Sequence, residues 1–366
     1  TEGTDVSEPL FPRVRKSIEA LPTYKAGKKA QEVDGLSPYK LSSNEIALEP
    51  LPSVLAVIAQ SAQDINRYPD PFATELLEAL AQKLDVSVDK IAIGTGSVGV
   101  CQQIVQAMVD AGDEVMFAWR SFEAYPIISS IAGAVSVQIP LRDDGSHHLE
   151  AMAAAVTPRT RVIFLCTPNN PTGNVISQLQ FDAFITQIPA DVLVVIDEAY
   201  VEFNRDEDAV DGLASMLAHP NVGILRTFSK AYGLAALRVG YFVGPQHVAQ
   251  AVMKTAVPFG VSSIAQAAAV ESLRNESELL ARVEVVTQER KQCEEQLREL
   301  GVELHPSQAN FMWWALGDRT DEFANVCTRN AIAVRAFSGE GVRISIGEPE
   351  AMQRLVQIVR EFLAEN

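Results

Sequence analysis

Four groups of residues in this sequence have the types and the order that carry chemistry. A glycine-rich turn, Gly94-Thr95-Gly96-Ser97-Val98-Gly99, comes first, followed by Thr167-Pro168-Asn169-Asn170-Pro171-Thr172-Gly173. Next is Asp197, with Tyr200 three residues on, and last comes Arg226-Thr227-Phe228-Ser229-Lys230-Ala231-Tyr232-Gly233-Leu234, with Arg238 beyond it. A lysine amine forms a Schiff base readily when desolvation or a nearby cation lowers its pKa. A buried carboxylate can keep a pyridine nitrogen protonated, so that the ring accepts electrons from a carbanion. A phenol or amide beside the ring oxygen tunes the imine, while hydroxyls, backbone N–H groups and one arginine bind a phosphate. Together these residue types ask for pyridoxal phosphate chemistry.

The elements that must position them are legible in the hydrophobic pattern. From about Lys90, short β-branched runs alternate with helix-length segments. The strand candidates are Ile91–Ile93, Glu114–Ala118, Val135–Ile139, Arg161–Leu165, Val192–Ile196, Val222–Arg226 and Val239–Val243. Val98–Val109, Phe122–Ile131 and Ser177–Ile188 read as helices between them. This alternation predicts an α/β fold with a mainly parallel seven-stranded sheet covered on both faces, which explains why several strands are continuously apolar. Ligands of open α/β sheets sit at the carboxyl ends of the strands, where the four groups fall. After Ser262 come two long helices, Ser262–Leu273 and Glu276–Leu300, then strands near Ala309–Ala315, Ile332–Arg335 and Val342–Ile346. A closing helix carries Met352, Leu355, Val356, Val359, Phe362 and Leu363 on one face. The expected organisation is an N-terminal arm, 1–45, partly joining the small domain or a partner chain. A large cofactor-binding domain, 46–262, and a small C-terminal α+β domain, 263–366, follow.

Composition narrows the function. The 366 residues suggest about two domains. With 30 Lys and Arg against 47 Asp and Glu, the net charge of −17 opposes binding to nucleic acid or anionic lipid. Yet no Asp or Glu occurs from Gly212 to Val270, a stretch that holds Arg226, Lys230, Arg238 and Lys254. Buried strands shed acids anyway; the remainder suits a segment that receives a phosphate dianion and holds a neutral lysine. No apolar run approaches the ~20 residues of a membrane span, and the start, Thr1 to Arg15, lacks the apolar core of a signal peptide. The four separated cysteines, Cys101, Cys166, Cys293 and Cys327, read as reduced and mostly buried thiols of a cytoplasmic protein. No metal is expected, and His147-His148, beside Asp143-Asp144-Gly145, reads as a solvated turn.

Three short motifs fail their context. Gly94–Gly99 satisfies GxGxxG, but the next strand ends in Phe117-Ala118-Trp119-Arg120, without the acid that would hold a ribose; the anion site stays and the nicotinamide goes. The run ending Ile196-Asp197-Glu198 resembles a magnesium-binding strand, but no GxxxxGK[ST] accompanies it. Ser37-Pro38-Tyr39-Lys40 matches S-x-x-K by spacing alone.

The sequence resembles the fold type I aminotransferases, and within them the branch of histidinol-phosphate aminotransferases and actinobacterial aromatic aminotransferases. The resemblance runs from Leu21-Pro22-Thr23-Tyr24 to Val342-Arg343-Ile344-Ser345-Ile346-Gly347, and is strongest in Asn169–Gly173, Asp197–Tyr200 and Ser229–Arg238. It implies that Lys230 carries the internal aldimine of pyridoxal 5'-phosphate, that Asp197 pairs with the pyridine nitrogen, and that Tyr200 and Asn170 hydrogen-bond the ring oxygen. It assigns the phosphate to Thr227, Ser229, Arg238 and the backbone of Gly96, Ser97 and Val98, and ring stacking to Phe122. Tyr68 would reach the phosphate of the neighbouring subunit in a homodimer. Arg343 would grip the substrate α-carboxylate, with Asn44 nearby, and Tyr24 and Arg335 would line the side-chain pocket. Taken singly, each residue also has a structural reading, such as a surface lysine or a packed tyrosine; the joint spacing favours the site.

Two amino donors remain open by resemblance: an aromatic amino acid, phenylalanine or tyrosine, with a 2-oxo acid such as 2-oxoglutarate as acceptor, and histidinol phosphate. Val98-Gly99 and Arg120-Ser121-Phe122 depart from the histidinol-phosphate pattern. Trp119-Arg120-Ser121-Phe122-Glu123 with Tyr125-Pro126 matches the aromatic enzymes and favours the first. A catalytically silent regulator on the same fold is disfavoured, because nothing in this sequence suggests an attached DNA-binding module.

Overall fold

The computed structural model describes residues 12–24 and 26–365. Its strands are β1 (Tyr39–Leu41), β2 (Ile91–Gly94), β3 (Glu114–Trp119), β4 (Val135–Pro140), β5 (Thr160–Cys166), β6 (Leu193–Asp197), β7 (Val222–Thr227), β8 (Gly240–Val243), β9 (Phe311–Trp314), β10 (Ile332–Phe337) and β11 (Gly341–Ser345). Seven form one sheet in the order β2-β8-β7-β6-β5-β3-β4. β3 to β7 pair in parallel, whereas β8 runs antiparallel to both β2 and β7. The expected α/β architecture is therefore present, with one reversed strand. The reversal follows from the link between β7 and β8. Residues 228–239 hold only the single turn Ala235–Leu237, too little for the helical crossover that a parallel return requires.

The sheet has an apolar layer on each face. Val162, Phe164, Leu193 and Val195 pack with Val100, Ile104 and Tyr125 on one side. Ile163, Leu165, Val194 and Ile196 face the other, with Phe181, Phe184 and Phe203. Neighbouring residues of a strand point to opposite faces, so a strand buried on both sides must be apolar at every position. Each such side chain contributes about 1.5–3 kcal/mol on burial. The same alternation puts Asp197, two residues beyond Val195, on the Tyr125 side.

A second sheet, β1-β10-β11-β9, lies beyond. The expected arm supplies its edge: Tyr39–Leu41 pairs in parallel with Ile332–Val334. The arm also touches the large sheet's helices, because Arg15 Nη1 donates to the Ile131 carbonyl at 2.9 Å. Residues 1–11 of the expected arm lie outside the described residues. The helices Ser263–Arg274, Glu276–Glu299 and Pro349–Ala364 match the expected ones within a few residues.

The thiols of Cys101, Cys166, Cys293 and Cys327 are free and buried. The solvated-turn reading of the histidine pair needs correction: His147 is buried, and its lost hydration pushes its pKa down to about 4. The His148 imidazole accepts from the Ala151 N–H and caps the helix Leu149–Ala154. No metal-binding cluster occurs among the described residues. No helix among them is long and apolar enough to cross a membrane.

Candidate active site

The carboxyl ends of β2, β5, β6 and β7 open into one cavity of about 240 Å³, closed from the other side by β10, β11 and the segment 42–45. Of the residues singled out in the sequence, Ser97, Val98, Phe122, Asn170, Asp197, Tyr200, Thr227, Ser229, Lys230, Arg238, Asn44, Tyr24, Arg335 and Arg343 all line it. Gly96 lies directly behind this lining. Tyr68 does not: it stands 82% exposed and stacks on Phe259, ring centroids 4.5 Å apart.

Lys230 is held by the β7–β8 link, and its Nζ donates to the Ser43 carbonyl at 3.2 Å. Burial pushes its pKa down to about 7, helped by the cations Arg343, Arg238 and Lys40 and opposed by Glu45. The amine is thus largely available as a nucleophile and base near neutrality. Asp197 closes β6 and is buried; desolvation raises its pKa to about 6, against the bonds from the Tyr125 hydroxyl (2.5 Å) and the Ala199 N–H (3.3 Å). A buried carboxylate so disposed gains from a cationic partner in the cavity.

Opposite, Asn44 Nδ2 donates to the Tyr200 hydroxyl at 3.0 Å, so that the phenol proton is directed elsewhere. Asn44 takes a left-handed conformation (φ 55°), fixed by a reciprocal pair of bonds with Ser345 and by Asn310 Nδ2 on its carbonyl. Arg343 Nη1 donates to Asn170 Oδ1 at 2.6 Å and Nη2 to the Ser42 carbonyl at 2.8 Å, while its buried Nε has no partner among the described residues. Each Nη carries a second N–H, and Arg343 lines the cavity, so donors remain for a carboxylate.

The helix Gly96–Met108 starts at the glycine turn, and its first-turn residues Ser97 and Val98 line the cavity, so its positive end can receive an anion there. Arg238 Nη1 donates to Ser229 Oγ at 3.0 Å, and the Ser229 N–H to Thr227 Oγ1 at 3.1 Å. Gly96 has φ 76°, and a Cβ there would collide with the Arg238 guanidinium. Gly96→Ala is therefore expected to displace Arg238 and weaken retention of a phosphate-bearing cofactor about 10- to 100-fold, the worth of one or two charge-assisted bonds. Equilibrium dialysis of the cofactor measures it; unchanged retention would remove Arg238 from the cradle.

Several participants had no signal in the sequence pattern. Tyr125 enters the sequence analysis only through the Tyr125-Pro126 resemblance, yet its hydroxyl holds Asp197 and its ring stacks on Phe164 at 4.8 Å. Its place one helical turn beyond Phe122 was the available clue. The carbonyls of Ser42 and Ser43, and Glu123, which binds Arg335 at 2.7 Å, come together only through tertiary contacts.

Residues 38–359 match the family model "Aminotransferase class I and II". This chain is a class I and II aminotransferase. An "Aromatic amino acid aminotransferase" of Streptomyces coelicolor is 51% identical over 354 residues, covering 97% of this chain and 98% of the relative. One of the same name from Thermobifida fusca is 48% identical over 361 residues, covering 99% and 100%. The crystal structure of histidinol-phosphate aminotransferase from Sinorhizobium meliloti, in complex with pyridoxal-5'-phosphate, superposes with a TM-score of 0.86 at 30% identity, covering 97% of the aminotransferase and 99% of that chain. The aminotransferase thus shares its α/β architecture with solved transaminases along nearly its whole length.

Proposed function

We propose that this transaminase moves an amino group between an aromatic amino acid, phenylalanine or tyrosine, and a 2-oxo acid such as 2-oxoglutarate, with pyridoxal 5'-phosphate as cofactor. The observation that carries the reading is the lining of one cavity. It brings Arg343 together with Thr227, Ser229 and Arg238, which can hold a phosphate. The rings of Tyr24 and Phe337 line the same cavity, beside an Arg335 already paired with Glu123. The relatives near 50% identity, named for aromatic amino acids, support the same reading.

The donor set fits the cofactor: a buried acid with an elevated pKa, a depressed lysine, and an arginine packed against a bare glycine. Bound pyridoxal 5'-phosphate supplies an aldehyde that links to amines and a ring that accepts electrons from the substrate α-carbon. Asp197 would keep the ring nitrogen protonated, and Tyr200 and Asn170 would hold the ring oxygen. Ser97, Val98, Thr227, Ser229 and Arg238, with the Gly96 backbone, would hold the phosphate, and Phe122 would stack on the ring. Lys230 would hold the cofactor, yield to the donor amine, and carry the α-proton on its freed Nζ. Arg343, positioned by Asn170 and near Asn44, would orient the α-carboxylates of donor and acceptor in turn, one in each half-reaction.

We further propose a homodimer in which Tyr68 reaches the phosphate of the second site. Its exposure, together with its stacking on the exposed ring of Phe259, supports this. The arm 1–45, a large domain 46–262 and a small domain 263–366 remain the proposed division, and the four free thiols support a reducing, cytoplasmic setting.

The Sinorhizobium meliloti likeness favours a second reading, histidinol phosphate as donor. Stopped-flow absorbance with phenylalanine, tyrosine and histidinol phosphate separates the two. Aromatic donors should convert the holoenzyme at least about 10-fold more efficiently, a difference of about 1.4 kcal/mol; the reverse order would replace the first reading by the second.

A further inference from the structure

Arg335 and Arg343 are direct cross-strand partners on β10 and β11, so their side chains leave the same face and enter one cavity side by side. They are used differently. Arg343 keeps an unpartnered donor, whereas Arg335 Nη2 is bound to Glu123 Oε2 at 2.7 Å. The pair is largely shielded, the Arg335 side chain being 13% and the Glu123 side chain 28% exposed. Phe337 carries Arg335 over its ring at 5.1 Å and Arg120 at 5.0 Å, and Arg120 is tied to Glu340. Arg335 is therefore held in place beside the binding surface with its charge already answered from within the chain.

A substrate whose α-carboxylate sits on Arg343 must present its side chain to this pair. We propose that Glu123 is a specificity-determining residue: its ion pair with Arg335 accepts a neutral ring lying beside it, and makes any anionic side-chain end compete with the Glu123 carboxylate for the guanidinium. The inference rests on the aromatic reading above and extends it to the acceptor. A neutral ring gains contact with the flat guanidinium and with Phe337 without breaking a charge-assisted bond. A distal carboxylate or phosphate can reach Arg335 only beside or in place of the Glu123 carboxylate, so it meets a guanidinium whose charge is already answered and a like charge next to it. A dicarboxylate acceptor would consequently bind more weakly than two arginines alone allow, and a phosphate dianion would meet the stronger repulsion.

The test compares the wild-type holoenzyme with Glu123→Gln, which keeps the shape and one acceptor but removes the charge, and with Glu123→Ala as a second replacement. Binding of glutarate, an unreactive dicarboxylate, is read as competitive inhibition, alongside kcat/KM of each half-reaction with phenylalanine, glutamate and histidinol phosphate. In both variants glutarate should bind about 10-fold tighter, and the glutamate-to-phenylalanine ratio of kcat/KM should rise by about the same factor, with histidinol phosphate gaining at least as much. Repeating Glu123→Gln on Arg335→Met should erase the gain. Unchanged glutarate binding, or an equal gain without Arg335, overturns the proposal. A wild-type enzyme inert toward aromatic donors would instead overturn the aromatic reading, while the glutarate comparison still reports on Glu123.

Discussion

Lys230→Ala is expected to lower the half-reaction with phenylalanine by at least about 10⁴-fold, the upper range for a positioned proton carrier, because the proposed role of the same side chain includes holding the cofactor. The fold should persist, since the amine makes only one long hydrogen bond, to the Ser43 carbonyl. Two readouts follow. Borohydride reduction should fix the cofactor covalently to the wild-type chain and leave the variant unlabelled. Capture of the cofactor by the cofactor-free wild type should quicken with pH and level off above about 7, where the buried amine has lost its proton. The sign for stability follows from the same shift. The unfolded lysine titrates near its ordinary value of 10.5 and the folded one at about 7. Between these values the unfolded chain binds more protons, so this residue's contribution to stability rises with pH across that window. Lys230→Ala should remove that slope from the cofactor-free protein. A variant that turns over at even a tenth of the wild-type rate would take Lys230 out of the reaction.

The second large effect belongs to Asp197. Asp197→Asn should reduce kcat by at least about 10³-fold while moving KM little, because opposite charges about 4 Å apart near a protein surface interact by about 4 kcal/mol. An amide cannot stabilise a protonated ring nitrogen, and the ring then accepts electrons poorly. Burial raises the Asp197 pKa to about 6, while the Tyr125 hydroxyl and Ala199 N–H favour its ionised form. A cation placed beside it would hold it ionised at neutral pH. Tyr125→Phe, which removes only the 2.5 Å bond, should show the same defect at about tenfold. Single-turnover absorbance with saturating phenylalanine measures both. If Asp197→Asn lost less than tenfold, another group would have to protonate the ring.

The sequence disclosed the site as far as local pattern allows. Lys230, Asp197, Asn170 and Arg238 could be placed because each follows a strand whose apolar run is continuous, and such runs are readable without knowing their neighbours. Resemblance points to Arg335 as a pocket residue at the end of a strand, but its pairing with Glu123, 212 positions away, had no sequence trace. The buried state of His147 was likewise hidden, because two histidines beside acidic residues have the composition of a turn.

Pattern along the chain was enough to predict a two-sided sheet with a lysine, an acid, hydroxyls and an arginine after its strands. These features depend on periodicity and on residues within one strand and its loop. Only the tertiary structure decided the direction of β8, the insertion of β1 beside β10, and the closure of the cavity by Ser42, Asn44, Arg335 and Arg343. The physical reason is separation along the chain. Arg343 reaches the Ser42 carbonyl across 301 residues, and a hydrogen bond of that span is specified by how the two sheets pack rather than by any pattern near either partner.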